Sequence, residues 1–235
     1  MIALPFFPVL AASFEQIYKF FHGGGFFMIP LLACSIIAVT VGIICGLGLR
    51  RHLVVPEELE KEIERLAPND TPDAVVRLSR YVRNDPSTLG RIAQVGLSNL
   101  HQPKDENQNA VQTVARHEVG QLENGLHVLE IIIGIAPLLG LLGAVSGLVQ
   151  VFGAFGGSAN QSDPHTIAKG ISEALSTTVV GIGIAIPTLI AHGLLQKKVE
   201  KLASDMELLI SGLLTKCYNQ KGRRGAFDLP SEVKA

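Results

Sequence analysis

Aspartate, glutamate, lysine and arginine are missing from three long stretches of the chain, residues 26–49, 131–155 and 174–196. Each stretch exceeds the roughly 20 residues that a helix needs to cross the ~30 Å hydrocarbon layer of a bilayer. A soluble protein of 235 residues could bury one such helix, but three would need a larger core than this chain can build. The pattern therefore predicts an all-α membrane protein with three transmembrane helices.

Apolar residues outside these stretches recur at helical spacing. Leu59 and Ile63 predict one helix after the first span, and Val75 and Leu78 predict another. Similar periodicities lead into the second span and continue after the third, so we expect long helical extensions. The predicted segments are an amphipathic N-terminal segment 1–25, transmembrane helix 26–49, a helical loop 50–106, a long helix 107–155 with the second span, a short loop 156–163, a long helix 164–218 with the third span, and a loose polar tail 219–235.

Basic residues cluster at particular span ends. Arg50 and Arg51 close the first span, and Lys197 and Lys198 close the third. Because lysine and arginine are enriched in cytoplasmic loops, the N-terminus is predicted outside, with the 50–130 loop and the C-terminal tail in the cytoplasm. This topology leaves almost no external domain, so any work outside the membrane must be done through a partner.

Composition narrows the functional classes. Apolar residues make up 47% and charged residues 17%, and a net charge of −1 gives no general basic surface for nucleic acid. Cys34, Cys45 and Cys217 suggest neither a disulfide framework nor a zinc site. The spans contain no spacing typical of a catalytic, metal or cofactor site, so the chain is predicted not to be an enzyme.

The second span contains closely spaced small residues. Gly143 and Gly147 form a Gly-x-x-x-Gly pair, which permits another helix to approach closely. Ser146 and Gln150 lie four residues apart on the face of Gly143 and are candidates for lining a pathway. The candidates for helix packing are Pro137, Gly140, Gly143, Gly147 and, in the third span, Pro187. Small residues alone favour a tightly packed hairpin without a pore, and this alternative stays open.

The mouth of the third span carries a carboxylate, Glu173. An acid on an apolar run is costly unless it faces a cavity or a partner, so Glu173 is a functional-site hypothesis. At 100° per residue, an arc of about 100° contains Glu173, Thr177, Gly181, Thr188 and His192. This stripe indicates a wet or partner-facing surface, and we interpret His192 as an interfacial residue rather than a proton relay.

One stripe on one chain cannot enclose a conduit. Several copies could do so in a ring, with the second and third spans inward and the bulky first span outward to lipid. The chain has no acid at mid-membrane, so we infer that a second polypeptide supplies it.

Three segments together resemble the MotA/TolQ/ExbB proton-channel family, most closely its three-span ExbB/TolQ branch. They are FHGGGFFMIPLLACSIIAV, IAPLLGLLGAVSGLVQVF and GISEALSTTVVGIGIAIPTLIAHGLL. The resemblance covers roughly residues 22–50 and 125–215. Glu173 and Thr178 match the functional acid and threonine of the family. The stripe geometry favours Thr177 instead, so Thr178 is assigned to the proton path and Thr177 is kept as a lining candidate.

The resemblance implies a homopentamer in the bacterial inner membrane, with a periplasmic N-terminus, around the transmembrane helices of two ExbD/TolR-like subunits. The membrane aspartate of those one-span partners would supply the missing acid, and their periplasmic parts would act on a TonB- or TolA-like protein. There is one departure from the family: Ala144 stands where many ExbB and TolQ sequences have threonine. This difference leaves the details of ion selectivity open.

The chain is therefore predicted to be a proton-channel and stator subunit that energises a TonB- or Tol-type transport or envelope process. Two alternatives stay open. One is a scaffold that holds a partner helix without conducting ions. The other is a sodium-driven complex, since a lone carboxylate with nearby hydroxyls can serve either ion.

Overall fold

The computed structural model describes residues 26–66, 72–156 and 164–224. Regular structure in these ranges is entirely helical, which confirms the predicted all-α class. In chain order the helices are α1 (Met28–Gly48), α2 (Arg51–Val54), α3 (Glu57–Arg65), α4 (Pro72–Arg83), α5 (Thr88–Ser98), α6 (Lys104–Gly156) and α7 (Pro164–Arg224). The predicted segment 1–25, and most of the predicted loop 156–163 and tail 219–235, lie outside the described residues.

Three of the described helices, α1, α6 and α7, are long and apolar enough to cross a membrane, as predicted. Helices α6 and α7 are continuous over 53 and 61 residues, with Pro137 and Pro187 inside them. Membrane helices tolerate proline where neighbouring groups satisfy the freed backbone carbonyl. Helix α6 begins at Lys104, before the predicted start at residue 107, and α7 runs to Arg224, past the predicted end at residue 218.

The described residues belong to two compact units. The membrane unit comprises residues 26–43, 126–156 and 164–193, and the polar unit comprises residues 44–66, 72–125 and 194–224. Because α6 and α7 are uninterrupted, each of them contributes one part to each unit.

Amphipathic helices build the core of the polar unit. Helix α4 packs against α5, and α3 packs against α4. The apolar residues whose spacing predicted these helices are at most 3% exposed: Leu59, Ile63, Val75 and Leu78. Val82, about one turn after Leu78, is 1% exposed. Leu202, Met206 and Leu213 of α7 are also buried. Burying an aliphatic side chain of this size contributes about 1.5–3 kcal/mol, so the helical periodicity outside the spans reflects a packed core.

A short polar turn starts helix α5. Ser87 is its N-cap, and its hydroxyl accepts a hydrogen bond from the Gly90 backbone N–H at 3.0 Å. The Asp85 carboxylate accepts from the Ser87 backbone N–H at 2.9 Å. A Cβ atom at residue 90 would lie 2.9 Å from the Asp85 carbonyl oxygen, so this turn requires glycine. Serine at the N-cap satisfies a backbone N–H that the helix itself leaves unpaired.

Polar side chains near the C-terminal end of α7 form hydrogen bonds with residues of earlier helices in the polar unit. The Lys216 ammonium donates to the carbonyl oxygens of Ile63 and Glu64 at 3.0 and 2.9 Å, and so satisfies the C-terminal end of α3. The buried Asn107 amide donates to the Tyr218 hydroxyl at 3.1 Å. These bonds join residues more than 100 positions apart, which no local sequence pattern predicts.

An ion pair between α5 and α6 is expected to stabilise the polar unit. The guanidinium of Arg91, 47% exposed, hydrogen-bonds the carboxylate of Glu118, which is 8% exposed. The hydrogen bond to Glu118 raises the pKa of the Arg91 guanidinium. Arg91→Ala would leave a buried carboxylate unpaired, and losing a fully buried partner costs about 3–5 kcal/mol. Because Arg91 is half exposed, we expect a loss of about 1–2 kcal/mol.

Thermal unfolding of the purified full-length chain, followed by circular dichroism, measures this effect. The matched control is Arg65→Ala, which removes an exposed arginine paired with Glu62 at 3.2 Å. That exposed pair contributes at most about 1 kcal/mol. Equal melting temperatures for the Arg91 and Arg65 variants would contradict the structural role of the Arg91–Glu118 pair.

Candidate functional site

The second and third spans pack along a continuous seam inside the membrane unit. Buried positions recur every three or four residues on both helices, as expected for one face of each helix. On α6 they are Ile132, Ala136, Gly140, Gly143, Gly147 and Val151; on α7 they are Gly170, Ala174, Thr177, Gly181, Ala185 and Thr188. Most of these residues are small, so the two backbones approach closely.

Glycines set the separation of the two helices. A Cβ atom at Gly181 would lie 2.6 Å from the Ala136 carbonyl oxygen, and one at Gly140 would lie 2.9 Å from the Thr177 carbonyl oxygen. At Gly143 the nearest atom would be the Thr177 hydroxyl oxygen, at 2.7 Å. Real Cβ atoms do not approach other atoms this closely, so these positions depend on glycine. The packing candidates Gly140 and Gly143 therefore lie in a tight helix contact.

The polar stripe of the third span coincides with this seam. Thr177 is 1% exposed, and its hydroxyl donates to the carbonyl oxygens of Glu173 and Ala174, both at 3.1 Å. Thr188 is also buried, and its hydroxyl donates to the Ile184 carbonyl at 2.7 Å. The prediction that the whole stripe faces water or a partner is corrected here. Thr177, Gly181 and Thr188 lie inside the chain because their small side chains allow close helix packing.

Thr178 joins the two spans by a hydrogen bond. It is half-buried, and its hydroxyl lies 3.3 Å from the Gly140 carbonyl oxygen and 3.2 Å from the Ala174 carbonyl oxygen. The first contact crosses from α7 to α6, whereas the hydroxyl bonds of Thr177 stay within its own helix. Sequence geometry favoured Thr177 for the pathway, yet Thr178 is the threonine with partial exposure.

Glu173 lies beside the seam rather than inside it. Its side chain is 18% exposed, and its Oε1 atom lies 4.0 Å from the Lys169 Nζ atom one turn earlier. On a helix, five residues correspond to about 140° of rotation, which places Glu173 and Thr178 on opposite flanks of the seam. The structure therefore does not bring the two residues together within one chain. Lys169 was not predicted as the partner of Glu173, although the i, i+4 spacing of the two residues indicates such a pair.

The remaining candidate residues of the second and third spans differ in how far the chain covers them. Ser146 is half-buried and Gln150 is exposed, so within one chain Gln150 is open to an external partner. Gly147 lies in the seam, where an added Cβ would come within 2.8 Å of the Gly170 carbonyl oxygen. Pro137 is half-buried, whereas Pro187, predicted as a packing residue, is exposed within the chain.

Charge is confined to the ends of the membrane unit. Over its described residues, the only aspartate, glutamate, lysine or arginine side chains are Glu130, Lys169 and Glu173. No three His, Cys, Asp or Glu side chains in the described ranges are close enough to hold a metal ion. A partly covered carboxylate, that of Glu173, therefore lies next to a tight helix hairpin.

Comparison with known proteins relates this pair of membrane helices to a protein family. The model of the MotA/TolQ/ExbB proton channel family matches residues 84–208, which include both helices of the hairpin. The chain is 30% identical over 190 residues to the putative biopolymer transport protein ExbB-like 1 of Synechocystis, covering 80% of this chain and 74% of that protein.

Two further relatives come from other bacteria. Identity is 26% over 179 residues with the biopolymer transport protein exbB1 of Vibrio cholerae, covering 76% of this chain and 74% of that protein. The Tol-Pal system protein TolQ of Haemophilus influenzae is 32% identical over 111 residues, covering 47% of this chain and 48% of that protein. The three-span architecture, the family match and these relatives agree. The chain belongs to the MotA/TolQ/ExbB proton channel family, in its ExbB/TolQ branch.

Proposed function

We propose that this chain is the proton-conducting stator subunit of an energy-transducing complex in the bacterial inner membrane. In this proposal the N-terminus is periplasmic and the C-terminus is cytoplasmic, as the basic span ends Arg50, Arg51, Lys197 and Lys198 favour. The complex would use the proton motive force to energise a TonB- or Tol-type process. Relatives named as biopolymer transport and Tol-Pal system proteins support this class of work.

The observation that carries the proposal is the position of Glu173. Apart from Lys169, it is the only side chain among Asp, Glu, Lys and Arg in the described part of α7 up to residue 193. Its carboxylate is mostly covered yet not sealed in the helix seam. Burying a charge is costly unless the charge has a partner or a task. In our proposal this task is to accept a proton at the entrance of the pathway.

The exposed apolar surface of the spans supports a ring of identical subunits in this proposal. Only 17%, 28% and 28% of the most apolar windows of α1, α6 and α7 are buried inside the chain. Lipid can cover part of this surface, and in a homopentamer neighbouring subunits cover another part. We place α1 outward, because its exposed side chains are mostly large and apolar, including Ile29, Ile36 and Ile44.

A second polypeptide completes the pathway. The described middle of the hairpin carries hydroxyls and glycines but no acid, so it holds no proton-binding carboxylate halfway across the membrane. In our proposal two copies of an ExbD/TolR-like one-span protein lie in the ring and each supplies an aspartate. Moving one proton through 100 mV yields about 2.3 kcal/mol, which would drive the partner helices against the ring and so act on a TonB- or TolA-like protein.

The burial of Thr177, Gly181 and Thr188 favours a competing function, a scaffold that packs tightly and conducts no ions.

Reconstitution of the complex in liposomes distinguishes the proton-conducting function from the scaffold function. The full-length chain would be co-expressed with an ExbD/TolR-like one-span protein and placed in liposomes that contain a pH-sensitive dye. We expect an imposed potential to drive proton entry only when both proteins are present. A stable complex without proton entry would support the scaffold and overturn the conducting role.

Replacing Thr178 tests the threonine assigned to the path. Thr178→Val keeps the shape of the side chain but removes the hydroxyl that contacts Gly140 across the hairpin. We expect proton entry to fall about tenfold or more, because a proton-transferring group commonly contributes 10²–10⁴-fold to a rate. Thr178→Ser restores the hydroxyl and should retain most of the flux. The matched control is Thr177→Val, since Thr177 is sealed in the seam. A larger loss for Thr177→Val than for Thr178→Val would reverse the assignment.

A further inference from the structure

An open groove runs between α6 and α7 in the polar unit. Its volume is about 760 Å³, and it extends along residues 104–123 of α6 and 203–215 of α7. The floor is apolar, with Val111 and Ile210 buried at its base. Leu208 lines the same groove and is 71% exposed, the largest exposed fraction among the large apolar side chains of the described polar unit. The groove therefore offers apolar surface that the described residues leave largely uncovered.

The sequence after Arg224 has the pattern of an extended chain with one apolar face. Residues 225–235 lie outside the described ranges, and they read GAFDLPSEVKA. From Phe227 to Lys234, the odd positions are Phe, Leu, Ser and Val, and the even positions are Asp, Pro, Glu and Lys. Successive side chains of an extended chain point to opposite faces, and a proline in the segment disfavours a helix. Such a pattern suits a segment that lies with its apolar face on an apolar floor.

The length of the chain allows this segment to return to the groove. Helix α7 continues from Thr215 to Arg224, which is a distance of about 14 Å along its axis. Returning over that distance and then along the 203–215 wall takes about 32 Å. An extended chain spans at most about 3.3–3.6 Å per residue, so residues 225–235 reach about 36 Å. The segment is therefore long enough to follow the whole α7 wall.

The charges of the segment and of the groove match in order. The Asn107 amide donates to the Tyr218 hydroxyl, so the C-terminal end of α7 lies beside the N-terminal end of α6. A segment returning from Arg224 passes the exposed charges of the α6 wall in the order Lys104, Arg116 and Glu123. Its own charges follow in the order Asp228, Glu232 and Lys234. The α7 wall adds Glu207, in the half of the groove that Lys234 reaches. Opposite charges are thus paired along the groove when the segment runs in this direction.

We propose that residues 227–234 occupy this groove on their own subunit, as an extended segment that runs antiparallel to α7. Phe227, Leu229 and Val233 face the apolar floor, and Glu232 pairs with Arg116. The segment covers Leu208 and holds α6 and α7 together in the polar unit. None of these contacts requires ion conduction, so they are independent of the proposed function.

Disulfide formation between engineered cysteines tests this arrangement. Ser231 belongs to the apolar face of the segment, and Ala115 lines the groove near the level that Ser231 reaches. The full-length chain with Ser231→Cys and Ala115→Cys would be oxidised in membranes, and mass spectrometry would quantify the linked peptides. The matched control combines Ser231→Cys with Thr113→Cys, because Thr113 is exposed and lies about 200° round α6 from Ala115. Burial raises the pKa of the native Cys217 to about 12, so this residue remains a thiol and does not compete.

We expect the pair with Ala115 to link at least about tenfold faster than the pair with Thr113. Docking holds one pair of sulfur atoms close, whereas a free tether gives both positions a similar effective concentration. Arg116→Glu should slow the link, and Glu232→Arg in the same chain should restore it. Equal rates for the two cysteine pairs would overturn the proposal. A link found only between two chains, seen as a dimer on a non-reducing gel, would also overturn it and would assign the groove to a second copy.

Discussion

Glu173→Ala is expected to abolish proton entry into liposomes that contain the complete complex. Glu173 is the covered carboxylate at the mouth of the third span, and no second acid lies nearby in the described part of the membrane unit. Alanine removes the only carboxylate in the described part of α7 up to residue 193. The flux should fall to the level of liposomes that lack the partner. Dye-monitored proton entry under an imposed potential measures it.

Two controls show whether this loss concerns chemistry or assembly. Ser172→Ala changes an exposed neighbour of Glu173 and should keep the wild-type flux. Glu173→Asp keeps a carboxylate on a shorter arm and should retain part of the flux. Size-exclusion chromatography should show the same complex for all variants, because Glu173 lies outside the helix seam. Full flux in the alanine variant would refute the role of this acid and favour the scaffold.

The second large effect is expected from Gly181→Ala. The added methyl group would lie 2.6 Å from the Ala136 carbonyl oxygen and 3.2 Å from the Gly140 Cα atom, both of which belong to the backbone. A side chain could rotate away, but a packed helix backbone cannot, so the two spans must separate. Overpacking of this kind costs about 1–3 kcal/mol. We expect the purified chain to melt at a clearly lower temperature and the complex to dissociate more readily.

Gly183→Ala provides a control of identical chemistry two residues away. Gly183 has no atom within 4 Å of the position where its Cβ would lie. Alanine is favoured over glycine in a helix by up to about 1 kcal/mol, so this variant should be as stable as the wild type or slightly more stable. Thermal melting of both variants in the same detergent makes the comparison. If the two variants melt alike, the close contact at Gly181 does not limit the packing of the spans.

Both predictions depend on features that the sequence reveals to different degrees. The cost of a carboxylate in an apolar span singles out Glu173 without any structure. Helical spacing puts Gly181 and Gly183 on different faces of α7, but the sequence does not reveal which face packs against α6. The tertiary structure places Gly181 in the seam and Gly183 on the open side.

The same difference between what the sequence and the tertiary structure reveal explains why the prediction for the polar stripe had to be corrected. Helical geometry alone put Thr177, Gly181 and Thr188 on one face, and that grouping is right, since all three positions are buried together. What the geometry lacked was the identity of the neighbour. Small polar residues suit a wet surface and a tight helix contact equally well, because a threonine hydroxyl can bond its own backbone.

The sequence by itself determined the three spans and the long helical extensions, and it singled out Glu173 as a candidate. These follow from the energetics of single residues in a bilayer and from helical periodicity, both of which act locally, whereas the family follows from the resemblance of three segments. Only the tertiary structure decided which face of the third span is sealed, that Thr178 rather than Thr177 reaches the second span, and that Arg91 pairs with Glu118. Such pairings depend on which surfaces two distant helices bury against each other, and that choice is a property of the packed chain.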